Sequence, residues 1–522
     1  MNQTAAKRDI PPFADELSKM SSWPEDFARR FGRKPRILHM GNVANYAYIN
    51  AKIQRSRGID AYVMDPDFYH IMASPEWIEV EVNGDHGDDF LPDWSRVGLK
   101  GYQRPTWFVQ GPFKMCTDYM SALMNRQAWK ARQIRRAIDI YRRSNLPNGN
   151  QSSSPNRSSQ SLRRKILSGL GVLYGYLRRN FEVSSAMIQP PQVADSVPPT
   201  ITVQSYRGMA KELFPVFAHF DIIQGYTISA ASPLAVGHSN VIAYELGTIR
   251  GLPFEDSELG RTTAWVYKTA PSVMITNVDC IPAADALGID PSLRALALHA
   301  YDVGRAVAFA KAPKPSPLKG KIPYFFAPAR HHWREGNTSW LKGNDIIIRA
   351  AGMLKRTGHD FRIVFVRWGQ EIGLSEALIA EENLTDRVEW IRPQSVIKLW
   401  PVYCGAVAVL DQFRAPAFGG VALDSMALGK RLITAFDADL GTNFFSEPPP
   451  IFNCRAPEDV SSAMAQVLAD PEDIAKRGAA LQEWFCKEHS IERQLAPQFA
   501  HYARLIDLNG PAPLDRCVRS SR

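Results

Sequence analysis

Closely spaced cysteines are missing from this sequence. Its six cysteines, Cys116, Cys280, Cys404, Cys454, Cys486 and Cys517, stand singly, which argues against a Cys-x-x-Cys redox motif and against the paired spacing of a zinc ribbon. No uncharged apolar run reaches the ~18 residues that a spanning helix needs, and the opening MNQTAAKRDIPPFADEL carries no apolar stretch of the secretory kind. A cytoplasmic location is therefore expected. Short-period repeats and heptads are also absent, which argues against solenoids and coiled coils.

What is present is ordinary in bulk and uneven in charge. A hydrophobic fraction of 45% and a charged fraction of 22% support a packed core, and 522 residues imply two domains. The net charge of +9 is concentrated: between Arg126 and Arg179 stand thirteen Lys or Arg against the single acid Asp139. No nucleic-acid-binding motif accompanies this charge, so nucleic acid is not expected as a partner. Residues 161–180, SLRRKILSGLGVLYGYLRRN, bracket an apolar run with arginines. With the basic stretch 128–143 before them they suit an anionic membrane surface, or alternatively a helix docked on the first domain with its basic side solvated.

From Arg36 the order is strand (RILHM), break (Gly41-Asn42), helix ending at Gly58, strand (AYVMD). Further strands are predicted at 77–82, 217–225, 240–247 and 272–277, and in the second half at 324–329, 362–369, 387–392, 406–413 and 431–436. Helices are predicted to begin near Asn344, Ser375, Ser395 and Val421. This alternation predicts an α/β protein with parallel, doubly wound sheets. The expected division is an extension over 1–29, a first Rossmann-like domain over 30–310 with a basic insertion at 126–200, a Pro/Lys-rich linker at 311–321, a second Rossmann-like domain over 322–490, and a final helix and tail over 491–522. The insertion contains SNLPNGNQSSSPNRSSQ, too poor in apolar residues to pack.

Residues 406–436, AVAVLDQFRAPAFGGVALDSMALGKRLITAF, resemble the nucleotide-sugar signature of glycosyltransferase family 4: a strand, then Phe-Gly-x-x-x-x-Glu-Ala-Met-Ala-x-Gly, then another strand. Phe418, Gly419, Asp424, Met426, Ala427 and Gly429 stand in register with it. The family's first acidic residue falls on Pro416, and its second is shortened to Asp424. The resemblance touches points from about residue 36 to 490. It implies the GT-B architecture, two Rossmann-like domains facing across a cleft, with the last helix crossing back to the first domain. It also implies transfer of a sugar from a nucleotide-diphosphate donor to a glycan or lipid-linked glycan, with retained configuration and neither metal nor cofactor.

On that resemblance Arg330 and Lys342 are the basic pair on the pyrophosphate, with Arg334 a rival for the arginine. Asp424 is expected to reach a ribose hydroxyl, or simply to complement the positive end of its helix. Phe418, Gly419, Gly420 and Val421 form a turn and helix start that suit a phosphate, because glycine lets a ligand approach the backbone and a helix N-terminus offers N–H groups; a tight turn of no chemical use is the plainer account. Gly41 and Asn42 would face the donor from the first domain. Glu245, Thr248 and Arg250, following a strand, form a candidate acceptor loop. The adjacent His331 and His332 do not have metal-ligand spacing. A catalytically silent relative that binds a glycan, nucleotide or membrane is the alternative function, with Pro416 its main support.

Overall fold

The computed structural model describes residues 22–144, 208, 212–318, 320–334 and 341–513. Thirteen strands form two sheets, and every ladder between them is parallel. The first sheet holds β1 (Arg36–Met40), β2 (Asp60–Pro66), β3 (Phe108–Gly111), β4 (Ile222–Tyr226), β5 (Val241–Tyr244), β6 (Val273–Ile275) and β7 (Arg294–Leu296), in the order β3-β2-β1-β4-β5-β6-β7. The second holds β8 (Tyr324–Ala327), β9 (Arg362–Val366), β10 (Val388–Ile391), β11 (Ala408–Leu410), β12 (Leu432–Thr434) and β13 (Phe452–Asn453), in the order β10-β9-β8-β11-β12-β13. Parallel strands require crossovers, and helices fill them. Strands covered on both faces read as near-continuous apolar runs, as in β4 and β8, where every residue is buried.

Three expectations change. The predicted strand at 77–82 is instead a short helix, Pro75–Glu79, with proline in its first turn. Only residues from Ile222 onward in the segment 217–225 are strand. β3, β7 and β13 lie outside every predicted strand. Residues 161–180, where membrane docking is expected, lie outside the described residues.

The last helix, Ile491–Asn509, lies against the first sheet. Leu495, Phe499, Tyr502, Leu505 and Ile506 share one apolar cluster with Trp23, Phe27, Ile37 and Ile222. Its register is set by a buried polar network. Gln498 Nε2 donates to Asn50 Oδ1 (2.9 Å), Gln54 Nε2 donates to the Tyr502 hydroxyl (2.9 Å), and that hydroxyl donates to Gln224 Oε1 (2.7 Å). His39 joins through Tyr226 and Gln54, both at 3.0 Å, and burial pulls its imidazole down to about 4, so it is neutral at neutral pH. Fully paired networks of this kind specify one arrangement.

Beyond the helix the chain is fastened to Asp221, which immediately precedes β4. Arg33 grips this carboxylate with two nitrogens (2.7 and 2.6 Å), and the backbone N–H groups of Arg36 (2.7 Å) and Ala512 (2.9 Å) donate to it as well.

The two halves meet directly. Val82 N–H donates to Ser395 Oγ (3.1 Å), the Phe309 and Trp400 rings lie 5.3 Å apart, and one apolar cluster runs from Val273 and Ile275 through to Phe418 and Trp484.

Candidate functional site

In an open parallel sheet the crevice forms outside the carboxyl ends of the strands, where the strand order reverses. In the second sheet that point lies between β8, which leads into Pro328-Ala329-Arg330, and β11, which leads into Asp411-Gln412. Lys342 is strapped between the two loops: its N–H donates to His332 O (2.7 Å), and its carbonyl accepts from Phe413 N–H (2.8 Å). Its ammonium then donates to Gln412 Oε1 (2.5 Å), and Gln412 Nε2 in turn donates to Ala417 O (2.5 Å). Burial pulls Lys342 down to about 8; Asp411 opposes this, while Arg330 and Arg250 assist it. Burial also holds the Arg330 guanidinium below its usual value.

Facing these cations is the helix Gly420–Ala427. Gly419 and Val421 are half-buried and Gly420 is exposed. A Cβ at Gly420 would meet nothing within 4 Å, and one at Gly419 would stand 3.7 Å from Gln412 Oε1 and 3.9 Å from Asp411 Oδ2. The first turn of the helix therefore opens onto free volume. Unpaired N–H groups and the positive end of a helix dipole make such a place attractive to an anion.

The first domain reaches the same place. Arg250 is held by Asp279 through two hydrogen bonds (2.7 and 2.6 Å), and both residues bear on the Lys342 charge. Tyr46, at the end of the loop that follows β1, stacks on His299 with 4.8 Å between ring centroids. Burial raises its phenol, and Tyr244, Asp424 and Asp411 raise it further. The switch-point loop of the first sheet thus faces that of the second.

Several predicted residues are engaged elsewhere. Asp424, expected to reach a ribose hydroxyl, lies across the domain interface: its Oδ1 accepts from the Tyr301 hydroxyl (2.7 Å) and from Trp400 Nε1 (3.2 Å). Burial lifts its carboxyl to about 7, against the pull of those two donors. Phe418, expected at the donor, is 7% exposed and stacks on Phe436 at 4.4 Å, so it anchors the turn from behind. The Asn42 side chain donates to Asn45 Oδ1 (3.0 Å) and Ala73 O (2.7 Å) and accepts from Tyr48 N–H (2.9 Å), so it ties its own loop together. Gly41 has φ +80°, and a Cβ there would stand 2.5 Å from Ser229 Oγ, so the close approach of the two switch-point loops requires glycine. Glu245 accepts from the Gly247 and Ile249 N–H groups, and Thr248 pairs with the Tyr267 hydroxyl (2.9 Å). Both shape the loop that carries Arg250. Arg334 is exposed, with its N–H donating to Glu371 (2.9 Å); His331 is buried against Ser375 Oγ (2.8 Å).

The structure brings together Arg330, Lys342, Gly419, Gly420, Val421 and Arg250, and adds residues that sequence reasoning missed: Tyr46, Asp411, Gln412, Tyr301 and Trp400. Asp411-Gln412 left a readable signal, a polar pair closing the apolar run AVAVL where a central strand must end. Tyr301 and Trp400 left none, because their role exists only across the interface.

No protein-family model matches the chain, and no curated protein matches it. Among solved structures, a glycosyltransferase from Rickettsia africae is similar at 11% identity and a TM-score of 0.50, over 91% of this chain and 99% of that one. A sucrose-phosphate synthase from Thermosynechococcus elongatus is similar at 13% identity and a TM-score of 0.50, over 91% of this chain and 100% of that one. With its seven- and six-stranded parallel sheets and their switch points turned toward each other, this chain has the GT-B fold.

Proposed function

We propose that the protein is a glycosyltransferase that takes a sugar from a nucleoside-diphosphate donor and passes it to a glycan or lipid-linked glycan, retaining anomeric configuration and using no metal. The observation that carries this reading is Lys342, with the Arg330 charge bearing on it, bonded to Gln412 beside the open start of the helix Gly420–Ala427 at the switch point of the second sheet. When the bond from the anomeric carbon to the β-phosphate oxygen breaks, negative charge collects on that phosphate. Fixed cations and N–H donors already aimed there lower the barrier, because they need no reorganisation as the charge develops. Arg330 suits two phosphate oxygens at once, Lys342 supplies a point charge, and Gly420 and Val421 supply backbone N–H groups. The Tyr46 and Arg250 side of the cleft is left for the sugar and its acceptor.

Calorimetry with UDP, GDP and ADP, followed by measurement of donor hydrolysis with the matching nucleotide sugar, tests this. One diphosphate is expected to bind tightly and its sugar ester to be hydrolysed slowly. No binding by any of the three would refute the proposal; tight binding without turnover across a donor and acceptor panel would favour the silent, ligand-binding relative.

We place this activity at the cytoplasmic face of an anionic membrane. The helix Ala128–Ser144 buries Ala131, Ile134 and Ile138 against the first domain and turns Arg132 and Arg136 outward. A basic residue near such a surface contributes about 1 kcal/mol, so reversing two of them costs at least ~2 kcal/mol, roughly 30-fold in partitioning. Sedimentation of Arg132→Glu/Arg136→Glu with phosphatidylglycerol vesicles should show that loss, and unchanged partitioning would remove the membrane from the account.

A further inference from the structure

We propose that Asp411 is a specificity-determining residue whose carboxylate accepts a hydrogen bond from a hydroxyl of the donor sugar; this rests on reading the site as a nucleoside-diphosphate-sugar cradle. Asp411 follows the last residue of β11, at the floor of the crevice, and is 3% exposed. Its Oδ2 has no hydrogen-bond partner, although the Ala422 N–H and the Lys342 charge both act on the carboxylate. A buried acceptor left unmade costs about 1–3 kcal/mol, and more when it is charged, so a protein retains one where a ligand completes it. Oδ2 looks toward Gly419, where the missing side chain leaves 3.9 Å to a would-be Cβ, and beyond it lies the free volume at Gly420. The unpartnered oxygen therefore lies just behind Gly419, at the start of the helix.

The chemistry of that oxygen selects what meets it. A phosphate oxygen is a negatively charged acceptor, which an ionised carboxylate repels. A hydroxyl is neutral and donates. A hydroxyl satisfies Oδ2 while leaving the phosphates to Lys342, Arg330 and the backbone N–H groups. In a nucleoside-diphosphate sugar such hydroxyls lie within a few bonds of the β-phosphate; a spent nucleoside diphosphate carries none at that end, and its β-phosphate gains a further negative charge. Asp411 thus favours the loaded donor over the product.

Calorimetry on the full chain with UDP-glucose, GDP-mannose and ADP-glucose, each beside its sugar-free diphosphate, tests this in wild type, Asp411→Asn and Asp411→Ala. For the base that binds, both variants should weaken the sugar-bearing ligand at least tenfold relative to the sugar-free one, whose affinity holds or rises. Equal effects on the two ligands, or no effect on the sugar-bearing one, would overturn the proposal. If Asp411→Ala fails to fold, the isosteric Asp411→Asn decides alone. A deoxy donor lacking the contacted hydroxyl should bind wild type more weakly than the intact donor and bind Asp411→Ala indistinguishably from it; equal penalties in both proteins would refute the contact. If wild type binds none of the six ligands, the cradle reading itself falls, and with it this proposal; a role for Asp411 in folding alone would move melting temperature without separating the two ligand classes.

Discussion

Lys342→Ala lowers donor turnover by about 100- to 1,000-fold, the usual consequence of removing one preorganised donor from a site where negative charge develops, while the chain remains folded. The ammonium stands on backbone anchored to both switch-point loops, so its loss deletes a charge and its bond to Gln412 while both backbone anchors remain. Single-turnover hydrolysis of the nucleotide sugar, with circular dichroism to verify folding, measures this; a loss below about fivefold would move the phosphate elsewhere. The same residue predicts a pH response. Burial holds the free Lys342 near 8, with Asp411 and Asp279 raising it and Arg330 and Arg250 lowering it. A bound diphosphate favours the charged form, so affinity is greatest below about 8 and falls as pH rises through that value. Lys342→Arg, which keeps its charge throughout, should flatten the profile.

Asp221→Ala destabilises the first domain by about 3–5 kcal/mol, the range for stripping one partner from a buried ion pair. Nothing at the cleft is touched. The change leaves the Arg33 guanidinium, whose side chain is 13% exposed, without its carboxylate, and it also strands the N–H groups of Arg36 and Ala512. Urea unfolding followed by tryptophan fluorescence reads the loss. Asp221→Asn, which retains an acceptor, should lose less, and a change under about 1 kcal/mol in Asp221→Ala would mean that water takes over the carboxylate's place.

Periodicity and strand-ending signals carried most of the architecture. RILHM, Gly58 and AYVMD announce a strand, a helix end and a strand because parallel core strands are apolar throughout and a helix commonly closes on glycine. The segment WIEVEV misled because its alternation suits a half-buried strand, whereas Ser74-Pro75-Glu76 just before it starts a helix. β3, β7 and β13 read FVQG, RAL and FN, without the longer apolar runs that mark equally short strands such as β11 in AVAVL. At the candidate site, the glycines were legible because they stand in register with the nucleotide-sugar signature the sequence resembles, and the cations through the same resemblance. The Tyr301–Asp424 contact was not, since it pairs residues far apart in sequence and on opposite sides of an interface, nor was the Trp400–Asp424 contact between two helices of the second domain. Asp424 satisfies the motif by type and the interface by position.

The returning helix makes the chain pass between the halves twice, once at residues 312–323 and again where His489 Nε2 meets His299 O (2.7 Å) and Gln494 Oε1 accepts from Tyr301 N–H (2.9 Å). A door on one pin can swing and twist; on two it can only swing. Because the second pin sits beside the Tyr301–Asp424 contact, any opening of the cleft pivots next to the very bond that latches it. The two faces of the cleft are thus tied by two passages of the chain and by that bond, all three on one side of it.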